Sequence, residues 1–173
     1  MTDRSLIAYG RAMGRPRAFD ADQAVSTAAA LFATHGYEGT SVDDLVAATG
    51  IHRGSLYKVF GSKRNLHLTA LRGHLDHEIR PAAAAIAALT HPGRATAAAV
   101  ASFDGGPAAG LLLLAAAERA PHDPEVAALV AEGFAALEDA LRASHGDAAP
   151  EVASTVLGAR LRLRAGLTAS KEH

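Results

Sequence analysis

Between positions 52 and 64 the chain gathers His52, Arg53, Ser55, Tyr57, Lys58, Lys63 and Arg64. These are short or donor-rich side chains, of the kind that meet base edges and phosphate oxygens. A second basic group, Arg15-Pro16-Arg17, lies upstream and is stiffened by its proline. The groups that catalysis would need do not assemble. The sequence has no nucleophile–base motif, no phosphate-cradling glycine loop and no paired carboxylates at useful spacing, so an enzyme is not expected. With no cysteine in the chain, thiolate metal sites, disulfides and thiol-based sensing are excluded.

The elements that must position the donors can be read from caps and apolar spacing. A first helix starts at the N-cap Asp20, with Gln23 completing a capping-box-like pair, and ends at Gly36. Val25, Ala28, Leu31 and Phe32 mark its buried face. A second helix starts at Thr40 or Ser41, carries Asp43 and Asp44 in its first turn where acids suit the positive helix end, and closes at Gly50. Leu45, Ala48 and Val42 are expected to face inward. After a turn of only a few residues, a third helix runs from about His52 to Phe60 on the anchors Ile51 and Leu56, and Gly61 ends it. This helix–short turn–helix is the geometry of a DNA-reading unit.

Ser62 caps a fourth helix, with Leu68, Leu71, Leu75 and Ile79 at helical spacing and a stop or kink at Pro81. Lys63 and Arg64 fall in its first turn, where cations oppose the helix dipole at a cost of about 0.3–1 kcal/mol each. A phosphate docked there would be stabilised by the free N–H groups and by both cations. The alternative is that both side chains swing into water.

Composition supports a helical protein. Of the 173 residues 49% are apolar and 5% aromatic, and much of the apolar fraction is alanine, the best helix former. The expected fold is all-α: an N-terminal three-helix helix-turn-helix domain plus a C-terminal helical effector-binding and dimerisation domain. The expected divisions are a flexible basic arm over 1–17, the head over 18–62, a connecting helix over 63–80 and the C-terminal domain over 81–173. Translation starts at either Met1 or Met13. The net charge is −1, but residues 1–80 hold ten Lys/Arg and eight Asp/Glu, a net of +2, against seven and ten, a net of −3, over 81–173. A basic head on an acidic body is implied. No export signal and no apolar run long enough for a bilayer is found, so a cytoplasmic location and no membrane partner are expected.

Four runs in order carry a resemblance: Gly14-Arg15-Pro16-Arg17, Gly36-Tyr37-Glu38-Gly39-Thr40-Ser41, Gly54-Ser55-Leu56-Tyr57 and Phe60-Gly61-Ser62-Lys63. Over about residues 14–75 the chain resembles the DNA-binding domain of tetracycline-repressor-type (TetR/AcrR) regulators. The resemblance implies a role for each matching position. Thr40 would touch a phosphate at the start of the second helix, and Arg53 and Ser55 would reach the major groove. Tyr57 would grip the backbone through its hydroxyl, with Lys58 as a further phosphate contact and Lys63 holding a phosphate at the start of the fourth helix. Arg15 and Arg17 would lie along the backbone or enter the minor groove. Position 52 is His where the family often has a small capping residue, and position 46 is Val where Ala is common.

Beyond residue 80 breakers at 91–93, 105–107, 121–124 and 146–150 separate further helices. Asp123-Pro124-Glu125 is a strong helix start, opening a helix to about Ser144. A last helix spans Glu151 to about Leu167, although Arg160 to Arg164 alternates with a strand-like period. The segment Glu118 to Val126 is similar to one seen in a branch of the family, in which C-terminal helices pair into a dimer and bind a small effector. The last two helices are therefore the expected homodimer surface. An effector pocket would involve Phe103, the leucines at 111–114, His91 and His122, all of which also suit plain core or surface. His67, His74, His77 and Glu78 share the fourth helix, and His74 with Glu78 could bind a divalent metal. Unliganded histidines are the commoner case there, and neither a metal nor a cofactor is assigned. The leading function is thus a repressor released from a palindromic operator by a small-molecule effector. The alternative is a helical small-molecule-binding or scaffold protein with a vestigial DNA-binding head.

Overall fold

The computed structural model describes residues 21–166. Over that span the chain is a stack of helices, and the cap and breaker residues account for where they begin and end. The N-cap expected at Asp20 lies outside the described residues. The first helix, α1 (Ala21–His35), buries Ala24, Ala28, Ala29, Phe32 and Ala33, while Val25 and Leu31 sit at the edge of the core. Next, α2 (Val42–Thr49) has Ser41 as its N-cap. The Ser41 hydroxyl accepts from Asp44 N–H and the Asp44 carboxylate accepts from Ser41 N–H, which makes a capping box. Only Leu45 of α2 is fully buried; Ala48, expected inside, is exposed because the helix touches the core along a single narrow edge.

Gly50 takes φ +68°, a left-handed conformation that turns the chain sharply out of α2. Then α3 (Arg53–Phe60) follows, and α4 (Lys63–His74) begins after the N-cap Ser62, whose hydroxyl accepts from Asn65 N–H at 3.0 Å. Pro81 does not stop this helix. Ahead of it the backbone widens into a π turn (Leu75–Ile79), in which Arg80 N–H donates to Leu75 C=O. Pro81 then falls in the first turn of a renewed helix, α5 (Arg80–Ala87), where its missing N–H leaves no gap. Helical backbone is therefore continuous from Lys63 to Ala87, past the boundary expected at residue 80.

The body adds α6 (Pro92–Ser102), α7 (Leu111–Glu118), α8 (Pro124–His145) and α9 (Ala149–Arg164), with single 3-10 turns at Ala120–His122 and Gly146–Ala148. Asp123 caps α8 through bonds from Glu125 N–H and Val126 N–H, and the Arg160–Arg164 stretch is helical. The long α8 runs through the middle of the body against α4 to α7 and α9. Gly133 allows this closeness: a Cβ there would lie 2.6 Å from Leu112 Cδ2 and 3.1 Å from Leu75 Cδ2. One buried cluster extends from Ala28 and Phe32 through Leu71, Ile79, Leu112 and Leu141 to Val156, so head and body share a core. Phe103, Leu111 and Leu112 belong to it and are closed off. His91 caps α6 by accepting from Arg94 N–H. Of the residues considered for an effector pocket, Phe103, Leu111 and Leu112 are thus core, while His91 and His122 are exposed. No described helix is long and apolar enough to cross a membrane.

Candidate nucleic-acid interface

Eight residues make up α3, and only Leu56 is fully buried. Ile51 and Phe60 rest partly on the core to either side. That three-point seat leaves Arg53, Gly54, Ser55, Tyr57, Lys58 and Val59 exposed. The sequence-assigned donors Arg53, Ser55, Tyr57 and Lys58 are thus brought together on one outward helix surface. An isolated polar helix this short has no stability of its own, so its seat on the core is what presents the donors. The turn before it is held by Gly50 N–H donating to Val46 C=O at 2.9 Å and by the Thr49 hydroxyl donating to Leu45 C=O at 2.6 Å.

Two local details shape the outer surface. Arg53 Nη2 lies 3.1 Å from Asp43 Oδ1, with both side chains well exposed. Such a pair contributes little to stability, yet it holds the guanidinium beside the first turn of α2 at no great cost to release. His52 is the N-cap of α3 but makes no side-chain capping bond and is exposed. The imidazole therefore stands free at the helix end that enters a groove first in helix-turn-helix docking.

Thr40 and Lys63 have other duties than those expected. Thr40 is fully buried, and its hydroxyl donates to Gly36 C=O at 2.7 Å. It locks the α1–α2 connection and has no surface to offer a phosphate. Lys63 Nζ donates to the carbonyls of Tyr37 and Thr40, both at 3.0 Å, and sits 4.1 Å above the Tyr37 ring. Its ammonium closes the same connection from the other side. In the free chain both cations in the first turn of α4 are held by protein groups. Arg64 grips Asp123 with two parallel bonds of 2.7 and 2.8 Å and reaches Glu125 at 2.9 Å. These bonds raise the Arg64 pKa and hold the Asp123 carboxyl far below the usual carboxylate range.

The junction around Arg64 was not foreseen. The Arg119 guanidinium carbon lies 4.5 Å from the centroid of the Tyr37 ring, and Arg119 donates to Glu38 at 3.2 Å. Glu118 accepts from Tyr37 N–H at 2.8 Å. The segment Glu118 to Glu125 therefore latches the body to the α1–α2 corner and to α4. The acids flanking Pro124 were legible as a helix start, but their partners lie far away in sequence. His67, a candidate ligand, is 2% exposed and packs edge-on against Phe32 at 4.9 Å. His74 is buried against Asp104. Among the described residues no three His, Asp or Glu side chains stand close enough to hold a metal ion. Arg15 and Arg17 lie outside the described residues.

A short, nearly unburied donor-bearing helix set after a tight glycine turn on a helical body defines a helix-turn-helix DNA-binding regulator. Comparison with known proteins agrees. The family model of the bacterial regulatory proteins of the tetR family matches residues 24–69. The uncharacterised HTH-type transcriptional regulator YezE of Bacillus subtilis is 36% identical over 137 residues, 74% of this chain and 69% of that protein. The HTH-type transcriptional repressor ComR of Escherichia coli is 41% identical over 76 residues, 44% of this chain and 36% of that protein. Among solved structures, the TetR family regulator CifR, a cysteine mutant complexed with 26-bp operator DNA, superimposes with a TM-score of 0.71 at 28% identity, covering 88% of this chain and 91% of that one. The chain belongs to the tetR family of bacterial transcriptional regulators.

Proposed function

We propose that this protein is a homodimeric repressor that holds a two-fold symmetric operator with two copies of α3 and is released by a small-molecule effector, and that it has no enzymatic role. The observation that carries the reading is the burial pattern of α3: Leu56 alone is fully inside, and every donor points out. His52, Arg53 and Ser55 are assigned to base edges, and Tyr57 and Lys58 to phosphates. Thr40 and Lys63 act as braces for the α1–α2 corner. Arg15 and Arg17 are assigned to an arm along the DNA. The head comprises residues 18–62, α4 connects, and the C-terminal helices dimerise. In support of the last point, Leu161 and Leu163 on α9 are 57% and 45% exposed among the described residues. CifR, seen on operator DNA, supports the docking by likeness.

The test is binding of the purified protein to the DNA flanking its own gene, with unrelated DNA as competitor, over a salt series. Selective binding to a site with two-fold symmetry, with affinity falling linearly in log salt, is the expected result. Weak binding without selectivity that disappears with salt, at every candidate operator, would overturn the reading in favour of a ligand-binding protein with an idle head.

A further inference from the structure

A cavity of about 410 Å³ opens where the head meets the body, between α1, α4, the π turn and the loop that precedes α7. Asp22, Asp76 and Glu78 stand around it, and Val25, Ala70 and Ala108 provide an apolar floor. Among the described residues its one guanidinium, Arg72, leans towards Glu125, 3.6 Å away. Asp76 pairs with Arg80, which is shared with Glu132. Glu78 is half-buried against the backbone of Gly106 and has no ion-pair partner among the described residues. A carboxylate withdrawn from water with no cation beside it is costly, and a positive ligand relieves that cost.

A second, independent observation lies in the same wall. His74 lines the cavity with its side chain 1% exposed. Its Nε2 is bonded to Asp104 Oδ1 at 2.7 Å, while its Nδ1 has no partner. Asp104 is itself fixed, accepting from Leu112 N–H at 3.1 Å and Leu113 N–H at 3.2 Å. The wall is thus rigid, and it carries one unused polar atom. The cavity also borders a π turn, a distortion that recurs at functional sites.

The chemistry narrows the ligand. The carboxylates repel an anion, and the described acids and histidines do not converge tightly enough for a metal ion. A cation with its own apolar body satisfies both the rim and the floor, and the volume falls in the range of small-molecule sites. We propose that the cavity binds an organic amine of about arylalkylamine size, its ammonium at Glu78, and that this is the effector site of the regulator. The proposal rests on the effector-responsive reading above. A ligand here touches α1 of the head and the loop of the body at once, so its binding is felt in the angle between them.

The test uses the full chain and three indoles that share one ring system: tryptamine (cation), tryptophol (neutral) and indole-3-acetate (anion), titrated by calorimetry. Tryptamine is expected to bind at least about tenfold more tightly than the other two, as one full charge interaction implies. Glu78→Gln should weaken tryptamine by about tenfold, and Gly73→Leu should abolish its binding by filling the space. Gly73 has only Val25 Cγ1 near its missing Cβ, at 3.8 Å, so a side chain can start there without a clash. Saturating tryptamine should lower operator affinity about fivefold or more. Failure of tryptamine to bind, equal binding of the three indoles, indifference to Glu78→Gln, or an unmoved operator affinity each overturns the proposal. Operator binding is measured first without any indole: selective binding there with no amine response sinks this inference alone, whereas absent selectivity sinks the regulator reading itself.

Discussion

His67 allows the tightness of the head–body junction to be measured through a proton. Its ring is packed between Phe32 and Tyr37, at centroid distances of 4.9 and 5.0 Å, and its Nδ1 has no partner. Burial, helped by the nearby Arg119 charge, pushes its pKa down from 6.5 to about 4. The native state therefore keeps the imidazole neutral through a range in which the unfolded chain protonates it. Between those two values the unfolded chain binds more protons, so stability rises with pH. The contribution is complete above the unfolded pKa and is lost as pH falls from about 6.5 towards 4. At 1.36 kcal/mol per pH unit, going from pH 7.5 to pH 5 should remove about 2 kcal/mol through this one group.

The assay is urea unfolding of the wild type and of His67→Leu at both pH values. Leucine is apolar, of similar bulk, and takes no proton. The other histidines are common to both proteins and cancel in the comparison. The wild type should lose about 2 kcal/mol more than the variant over this interval. Equal losses would refute the reasoning, because they would mean that water or a proton reaches the ring without opening the junction.

Tyr57→Phe is expected to weaken binding to all DNA sequences alike, since it removes a phosphate contact. Arg53→Ala should instead relax base preference at one position per half-site at a cost of about 1–3 kcal/mol, measured with a panel of singly substituted operators. In Gly54→Ala the added Cβ meets nothing within 4 Å in the free protein. Thermal stability should hold or rise by up to about 1 kcal/mol, while operator affinity falls where the backbone lies against the groove; unchanged affinity would place Gly54 away from the DNA. Arg64→Ala strips the nearly buried Asp123 carboxylate of its two-point partner. Because that partner holds the Asp123 pKa down, the variant's loss in urea midpoint should be largest at neutral pH and fade in acid as the carboxyl protonates. A loss independent of pH would point to packing rather than charge.

Local signals were read correctly from the sequence where local chemistry decides. Gly50, Ser62 and Asp123-Pro124 act within a turn of themselves, so the end of α2 and the starts of α4 and α8 could be read directly. Leu56 was legible as the anchor of α3 because its neighbours are all polar or small. The errors arise where a distant partner decides. Lys63 and Arg64 looked unfavourably placed at a helix N-terminus, and an external anion was the available explanation. Their compensation comes instead from carbonyls at 37 and 40 and from carboxylates about sixty positions away. Thr40 could not be told from an exposed N-terminal residue until Gly36 was seen to take its hydroxyl. Pro81 signalled a stop or a kink, whereas the helix continues past it after a π turn that only the backbone reveals.

The two ends of α4 are held in different ways, and that difference sets how a signal can travel. At its start, Arg64 is bound to Asp123 and Glu125 while Lys63 is bound to two carbonyls, so the N-terminal turn is tied to both head and body by directional bonds. At its end the helix passes into a π turn whose outer side borders a cavity. Bonded, two-point contacts with short distances resist displacement more than a cavity wall does. A ligand that presses on α4 therefore moves its C-terminal end and rotates the helix about the Arg64 latch. The head follows through Lys63, whose ammonium holds the carbonyls of Tyr37 and Thr40 in the α1–α2 corner that leads into α2 and α3. Weakening the latch should then uncouple effector from operator without touching either site. In Arg64→Ala, the effector should still bind but should no longer shift operator affinity. Full coupling in that variant would show that the signal leaves α4 by another route.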